Sequence, residues 1–236
     1  MNSFPVKIVS TRQETPTVKT IGMSLIEEQP YTFVPGAFTM VSVPESGIPA
    51  RPFSFSSAPS DSNLEITVEK TGKITTALHN AKVGDTLHLS APMGKFRLPE
   101  KIDRPLFFLV GGTGIAPVRS MLRSLAAQDV GPITLCYSAR EEEDVIFQDE
   151  LLTWKQDQSN IRVAVTLTRA SQSARNWELG RFTKERLLAL VPDLTESECF
   201  LCGSPEFVQS FIRLLVEIGL NREVIKTEQW LQPSLE

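Results

Sequence analysis

The chain has 236 residues, of which 41% are apolar and 22% are charged, close to ordinary globular usage. This composition argues against disorder, and at roughly 150 residues per domain the length predicts one large domain or two modest ones. The net charge of −4 gives no electrostatic footprint for general nucleic-acid binding. The longest apolar stretch, residues 106–118, is shorter than the ~20 residues of a membrane-spanning helix.

The cysteines and histidines argue against a metal site or a disulfide framework. Cys136, Cys199 and Cys202 each lie in an apolar run, which favours reduced thiols and a cytoplasmic location. Three cysteines cannot supply a four-cysteine zinc or iron–sulfur site. His79 is interpreted as part of the polar face of a helix, and His88 as part of a strand. No metal ligand is predicted.

Residues 1–100 contain short segments rich in β-branched residues, and turn signals such as Pro35-Gly36 separate them. Many short antiparallel strands with regular turns predict a small β-barrel. One helix, Ile74–Asn80, interrupts them. The predicted strands are Val6–Ser10, Thr17–Leu25, Thr39–Val43, Ser54–Ser57, Leu64–Lys70 and Thr86–Ser90.

The pattern changes at the polar, proline-flanked segment Phe96–Arg104, so a second domain is predicted over residues 101–236. Apolar strands now alternate with amphipathic helices, which predicts an α/β doubly wound parallel sheet with both faces covered. Such a sheet binds ligands beyond the carboxyl ends of its strands. The predicted strands are Leu106–Val110, Ile133–Ser138, Ile161–Leu167, Cys199–Cys202 and Val224–Thr227; the predicted helices are Pro117–Gln128, Asp144–Gln156, Lys184–Leu190 and Pro205–Ile218.

The clearest motif is GGTGIAP at 111–117, which follows a predicted strand and opens a helix. Glycines let the backbone approach a pyrophosphate closely, and the helix N-terminus supplies unpaired N–H groups. Proline stands where the common dinucleotide fingerprint has its third glycine. The motif indicates a dinucleotide site, although a tight strand-to-helix turn without a ligand would use the same residues.

Two shorter motifs lie in the predicted barrel. RPFS at 51–54 offers an arginine to a phosphate, an aromatic plane to a flat ring and a hydroxyl to a ring nitrogen. GKIT at 72–75 opens the predicted helix, where backbone N–H groups and the Thr75 hydroxyl could hold a diphosphate. Taken singly, each motif is also compatible with an ordinary strand start or helix cap.

Two further motifs follow late strands. CGSP at 202–205 opens a helix, and Glu228-Gln229-Trp230 follows the last predicted strand. Cys199 and Cys202 have the spacing of a redox CxxC motif, but they span a strand instead of opening a helix, so no dithiol role is predicted. Cys202 itself lies at the ligand-facing end of its strand.

The order of these motifs resembles the ferredoxin–NADP reductase superfamily over nearly the whole chain. The other matching segments are PGAF at 35–38, VGD at 83–85, PMG at 92–94, YSARE at 137–141 and LTR at 167–169. The resemblance implies a barrel that binds FAD, a second domain that binds NAD(P)H, and hydride exchange between the nicotinamide and the flavin. It also implies electron transfer to a separate acceptor such as ferredoxin, flavodoxin or an oxygenase component.

The resemblance further implies roles for single residues. Phe53 stands where the family usually has tyrosine, and Glu69 where many relatives have a basic residue. The implied catalytic residues are Ser54, Cys202 and Glu228. The implied cofactor-binding residues are Arg51, Pro52, Phe53, Ser54, Val68, Gly72, Lys73, Ile74, Thr75, Gly112, Thr113, Gly114, Arg140, Thr168, Arg169, Arg181, Cys202, Gly203 and Trp230.

The choice between NADPH and NADH depends on charge near the adenosine ribose. A 2′-phosphate calls for arginine and a 2′-hydroxyl for a carboxylate. Arg169 and Arg181 stand where the family binds the phosphate, whereas the carboxylates of 141–144 would repel it if they faced it. We expect NADPH to be the preferred donor.

Two other functions remain open on the sequence. The chain could reduce free flavin, or it could be an electron-transfer subunit of a larger complex. An ordinary dehydrogenase without flavin does not explain the barrel half or the RPFS motif.

Overall fold

The computed structural model of the chain describes residues 3–27, 30–126, 128, 130–156 and 160–229. The chain divides into two compact units: Met1–Leu98 with Ala116–Ala127, and Pro99–Ile115 with Gln128–Glu236. The first unit therefore includes a segment from the second half of the sequence as well as the N-terminal strands.

Six antiparallel strands and one helix form most of the first unit. The strands are β1 (Phe4–Thr15), β2 (Val18–Leu25), β3 (Phe38–Ser42), β4 (Arg51–Ser54), β5 (Leu64–Glu69) and β6 (Thr86–Leu89), and helix α1 spans Lys73–Asn80. They form one sheet in the order β4-β3-β6-β1-β2-β5. β1 is longer than predicted because its outer half pairs with β2 although residues 9–13 are exposed and polar residues predominate there.

The chain just after β4 joins the two edges of this sheet. Phe55 forms an antiparallel bridge with Ile66 of β5, and the Ser56 N–H donates to the Glu65 carbonyl at 2.8 Å. Because β4 and β5 are the edge strands, these contacts close the sheet on itself. We call Phe55–Ser56 and Glu65–Ile66 together the seam. The predicted antiparallel β-barrel is thereby confirmed.

The barrel core follows from the alternation of side chains along each strand. Val6 and Ile8 on β1 and Ile21 and Met23 on β2 are fully buried, as expected for alternate residues on one strand face. Phe55 of the seam is also fully buried, and its ring stacks on Phe33 with 4.2 Å between centroids.

The second unit is built around a parallel sheet. Its strands are β7 (Leu106–Gly111), β8 (Ile133–Ala139), β9 (Ile161–Leu167), β10 (Glu178–Leu179), β11 (Glu198–Gly203) and β12 (Ile225–Gln229). The helices that follow residue 110 are α2 (Ile115–Leu125), α3 (Gln148–Gln156), α4 (Lys184–Leu190) and α5 (Pro205–Ile218). The body of α2 belongs to the first unit.

The strand order of this sheet is β10-β9-β8-β7-β11-β12, and every adjacent pair is parallel. The chain runs outward from β7 through β8 and β9, then crosses to β11 on the other side of β7. This reversal confirms the predicted doubly wound α/β fold and makes the carboxyl ends of β7 and β11 its switch point. β10 was not predicted, since two residues are too few to show a strand period.

Among the helices of the described segments, none combines the length and the apolar character that crossing a membrane requires.

Replacing Phe55 with alanine is expected to destabilise the fold by about 3–5 kcal/mol, because it leaves a cavity where the barrel closes. Val83→Ala is the matched control, since Val83 is 61% exposed and its truncation should cost less than about 0.5 kcal/mol. Urea denaturation followed by far-ultraviolet circular dichroism measures both. Equal midpoints for the two variants would contradict the assigned role of Phe55 in closing the barrel.

Candidate active site

Three strands end side by side at the switch point. Val110 on β7 is in register with Cys202 on β11, and Cys202 is in register with Glu228 on β12. The glycine turn of 111–114 follows Val110 directly. The register therefore brings Cys202, Glu228 and the glycine motif to one edge of the sheet, where ligands of such folds bind. We call this the nucleotide edge.

The glycine turn lies unusually close to the end of β11. A Cβ atom on Gly114 would be 2.4 Å from the Cys202 carbonyl oxygen and 2.8 Å from the Gly203 nitrogen. Only glycine therefore fits at position 114. Gly112 has a φ of +54°, a left-handed conformation that favours glycine, and none of the described residues has an atom within 4 Å of where its Cβ would be. The backbone at Gly112 is consequently open to a ligand.

Helix α5 begins immediately after Gly203. The Ser204 side chain accepts a hydrogen bond from the Phe207 N–H at 3.2 Å, and Pro205 occupies the first turn, where an N–H would have no helical partner. The Phe207 ring packs against both Gly111 and Gly203, where a Cβ would meet its atoms at 3.0 Å and 2.8 Å. These contacts fix the two turns of the nucleotide edge relative to each other.

The three cysteine thiols are all buried. Burial raises the pKa of the Cys136 and Cys199 thiols well above its usual value, so they are poor nucleophiles. Cys199 and Cys202 are three residues apart on β11, so their side chains point to opposite faces of the strand. This geometry agrees with the prediction that the CxxC spacing is not a dithiol motif.

Glu228 is the most unusual titratable group of the nucleotide edge. Its Oε2 atom is buried and has no hydrogen-bond partner among the described residues. Removal from water raises the pKa of the carboxyl from 4.5 to about 7, because burial disfavours the charged form. The group therefore exchanges a proton near neutral pH.

In the barrel, the RPFS motif forms β4 and pairs with β3. Phe38 is in register with Ser54, and Met40 with Pro52. Ser54 is buried, and its hydroxyl has no hydrogen-bond partner within the described segments. An orphaned hydroxyl fits a site where a ligand supplies the partner. Arg51 is exposed, which leaves its guanidinium accessible to a phosphate.

The start of α1 is the second candidate flavin-binding element. The Thr75 hydroxyl accepts hydrogen bonds from the Thr71 and Gly72 N–H groups and donates to the Gly72 carbonyl, so it is fully used within the turn. Within the described segments, no atom lies within 4 Å of where a Cβ on Gly72 would be. The N–H groups in the first turn of a helix have no partner within the helix, so those of Lys73 and Ile74 fit a diphosphate better than the hydroxyl does.

Val68 and His79 hold α1 against the barrel. Val68 is buried on β5, and the His79 ring bonds to the Val68 carbonyl at 2.8 Å. The Lys19 ammonium donates to the His79 carbonyl. His79 thus has a structural role, since it joins α1 to β5 and β2.

The candidate donor-binding residues lie after β8 and β9. The Thr168 and Arg169 N–H groups donate to the carbonyls of Ala139 and Arg140, respectively. These bonds hold the segment that follows β9 beside the segment that follows β8. Arg140, Arg169 and Arg181 are exposed. Thr113 is half-buried in the glycine turn. Trp230 lies outside the described residues.

A polar cavity of about 730 Å³ adjoins these loops and is lined in part by Glu141, Glu142 and Glu143. Glu142 accepts hydrogen bonds from the Ser173 hydroxyl and the Ala174 N–H, both at 2.8 Å, and pairs with Arg175 at 3.7 Å. Its charge is thus largely matched within the loop. The carboxylates of Glu141 and Glu143, which also line the cavity, would repel a phosphate bound close to them.

The sequence did not identify the buried polar contacts of the seam. Arg119 on α2 is buried and bonds to Glu65 and to the Ser56 carbonyl. One sequence signal was present: Arg119 follows the apolar Val118 and is separated from the apolar Met121 only by Ser120.

The two halves of the chain each match a known domain family. The FAD-binding domain model matches residues 6–105, and the oxidoreductase NAD-binding domain model matches residues 108–212. Ferredoxin–NADP reductase B of Sorangium cellulosum is 30% identical over 244 residues, covering 96% of this chain and 97% of that protein. NADH oxidoreductase HCR of Escherichia coli is 32% identical over 89% of this chain, which spans 63% of that longer protein.

Solved structures show the same fold. The FAD/NAD-binding domain of nitric oxide dioxygenase from Vibrio cholerae superposes with a TM-score of 0.87 at 23% identity, covering 98% of this chain and 99% of that one. A ferredoxin–NADP reductase from Neisseria gonorrhoeae with bound FAD and NADP gives a TM-score of 0.80 at 24% identity, with 97% and 99% coverage.

The chain belongs to the ferredoxin–NADP reductase family. It is an oxidoreductase with an FAD-binding and an NAD(P)-binding domain, and it passes electrons between NAD(P)H and an acceptor.

Glu228→Gln is expected to remove a pH dependence of stability. The folded-state pKa lies above the unfolded one, so the folded chain holds this proton more tightly and unfolding releases it. The free energy of unfolding of the wild type, relative to the variant, should therefore fall as pH rises from 4.5 to about 7 and then level off. Urea titrations of both FAD-saturated proteins across this range measure it. A difference that stays constant with pH would show that the carboxyl is not shielded from water.

Proposed function

We propose that the chain is an FAD-dependent NAD(P)H reductase whose acceptor is a separate one-electron carrier: a ferredoxin, a flavodoxin or an oxygenase component. The observation that carries this proposal is that one chain contains two candidate sites: the RPFS strand of the barrel, for the flavin, and the nucleotide edge of the sheet, for the donor. Ferredoxin–NADP reductase B of S. cellulosum, which this chain matches over nearly its full length, supports the carrier. A reductase component of naphthalene 1,2-dioxygenase, 25% identical, supports the oxygenase alternative.

Functionally, we propose that residues 1–100 hold the flavin and residues 101–236 the donor. A cytoplasmic setting is supported by the three buried thiols.

In the barrel, Arg51 is proposed to bind a flavin phosphate with a charge-assisted hydrogen bond. The N–H groups at the start of α1 would hold the diphosphate, and Pro52, Phe53 and Val68 would pack against the ring system. The orphaned Ser54 hydroxyl would donate to a ring nitrogen and so orient the ring. FAD, when bound, supplies the capacity to accept a hydride and to release electrons singly.

At the nucleotide edge, the backbone of Gly112–Gly114 and Gly203 would lie along the donor, with Thr113 and Cys202 orienting the nicotinamide. Cys202 acts by position and is not proposed as a nucleophile. Glu228, whose burial raises the pKa of its carboxyl to about 7, would lie beside the ring and release its proton as positive charge develops on the nicotinamide. Trp230 is proposed to cover the ring.

Two experiments separate this function from the alternatives. If the chain holds FAD through gel filtration and its anaerobic NADPH oxidation saturates with added ferredoxin or flavodoxin, the one-electron acceptor is supported. Because an enzyme with bound FAD does not need free flavin as a substrate, added riboflavin should leave the rate of NADPH oxidation unchanged. A rate that follows riboflavin and ignores the carriers would instead make it a free-flavin reductase. No turnover with any acceptor would favour an electron-transfer subunit.

We further propose that NADPH is the preferred donor. Arg169 and Arg181 are exposed, and within the described part of the chain neither forms an ion pair with a carboxylate, so both are available to a 2′-phosphate. Arg140 and Thr168 adjoin Arg169 through the hydrogen-bonded chain ends after β8 and β9.

Replacing Arg169 and Arg181 together with alanine should raise KM for NADPH by about tenfold or more and change KM for NADH little, because each charge-assisted hydrogen bond contributes roughly 1.5–3 kcal/mol. Arg213→Ala, which removes an exposed arginine of α5, controls for the loss of positive charge. Steady-state kinetics with both donors measure the effect. A wild type that already prefers NADH, or equal losses for the two donors, would contradict the proposal.

A further inference from the structure

Helix α2 follows the glycine turn in sequence, yet its body packs with the barrel as part of the first unit. Two arginines on it, Arg119 and Arg123, are one turn apart and make contacts of different kinds. Arg119 reaches the strands of the seam, whereas Arg123 pairs with Asp61, in the loop between β4 and β5.

The Arg119 side chain is only 4% exposed. Its Nη1 donates to the Glu65 carboxylate at 2.6 Å and to the Ser56 carbonyl at 2.8 Å. A single guanidinium thereby holds one residue from each side of the seam. The Arg123–Asp61 pair, at 3.0 Å, is more exposed, with side chains at 34% and 24%.

One side of the seam, Phe55–Ser56, directly follows the RPFS motif of β4 along the chain. Ser56 follows Ser54 by two residues, so the two side chains lie on the same face of one extended segment. The Ser56 hydroxyl accepts from the Thr67 hydroxyl, which in turn bonds to Thr20, each at 2.9 Å. The position of the Ser56 backbone along the seam therefore sets where Ser54 points.

A buried ion pair is often no more stabilising than a well-packed apolar pair of the same volume. Stability alone therefore does not explain a buried arginine here. A guanidinium does what an apolar side chain cannot: the two N–H groups of its Nη1 atom form a planar fork, which imposes direction on the Ser56 carbonyl and the Glu65 carboxylate that accept from it.

We propose that Arg119 is a positioning residue for hydride transfer. By holding the Ser56 carbonyl against Glu65, it fixes the extended segment that presents the Ser54 hydroxyl to the flavin. This inference rests on the proposed role of Ser54. It assigns a function in the reaction to the body of α2, which belongs to the first unit.

Four variants of the full-length, FAD-saturated protein test it. Arg119→Met keeps the length and removes both bonds, and Arg119→Lys keeps the charge but loses the fork. Glu65→Gln removes the ion pair and leaves the bond to Ser56. Arg123→Met is the control on the same helix. The measurements are the visible circular dichroism of the bound flavin, the dissociation constant of FAD by flavin fluorescence, and the limiting rate and KM of flavin reduction by NADPH.

We expect Arg119→Met to alter the flavin circular dichroism and to lower the limiting rate by about tenfold or more, a loss of about 1.4 kcal/mol or more of transition-state stabilisation, with KM for NADPH unchanged. Arg119→Lys should be intermediate. Glu65→Gln, which weakens one of the two bonds and keeps the bond to Ser56, should lose less than either Arg119 variant, and Arg123→Met should resemble the wild type in spectrum and rate.

Wild-type spectra and rates for both Arg119 variants would overturn the inference. So would equal losses in Arg123→Met, or a loss that disappears once FAD is saturating, since those results describe mere stability. If Arg119→Met does not fold, the limiting rates of Arg119→Lys and Glu65→Gln are compared instead. The inference requires that flavin reduction is slower in Arg119→Lys than in Glu65→Gln. A wild type that binds no FAD, or is not reduced by NAD(P)H, would instead contradict the proposed function itself.

Discussion

The nucleotide edge depends on how closely two backbone turns approach each other. The turn after β7 lies so near the end of β11 that a methyl group at Gly114 would stand 2.4 Å from the Cys202 carbonyl oxygen. This approach, with the parallel register that aligns Val110, Cys202 and Glu228, concentrates a flexible backbone, a thiol and a shielded carboxyl in one place. The chemistry assigned to this edge follows from that geometry.

The polar groups of the two units fall into two kinds. Arg119, Glu65 and Ser56 satisfy one another, and such closed networks fix structure. The Ser54 hydroxyl and Glu228 Oε2 are buried without a partner among the described residues. Since buried polar groups are normally paired, the second kind marks where a ligand is expected to complete the hydrogen bonding.

Much of this was predictable from sequence because motif order and strand periodicity are local properties. GGTGIAP after an apolar strand predicted a strand-to-helix turn that binds a dinucleotide, and the short segments of residues 1–100 predicted the barrel. Tertiary placement was not predictable. Nothing in the periodicity of α2 says that its body packs with the barrel, and the raised pKa of Glu228 depends on burial by distant parts of the chain. The Thr75 hydroxyl, proposed as a diphosphate ligand, is instead used within its own turn.

Ser54 of the barrel and Cys202 of the nucleotide edge are both proposed to act in the reduction of the flavin by the donor. Anaerobic stopped-flow reduction of the bound flavin by saturating NADPH tests it in Ser54→Ala and Cys202→Ala, with donor deuterated at nicotinamide C4 to identify the step. The account predicts that both variants retain FAD, that reduction slows by about tenfold or more in each, and that the deuterated donor is slower still. Rates equal to wild type in both variants would contradict it.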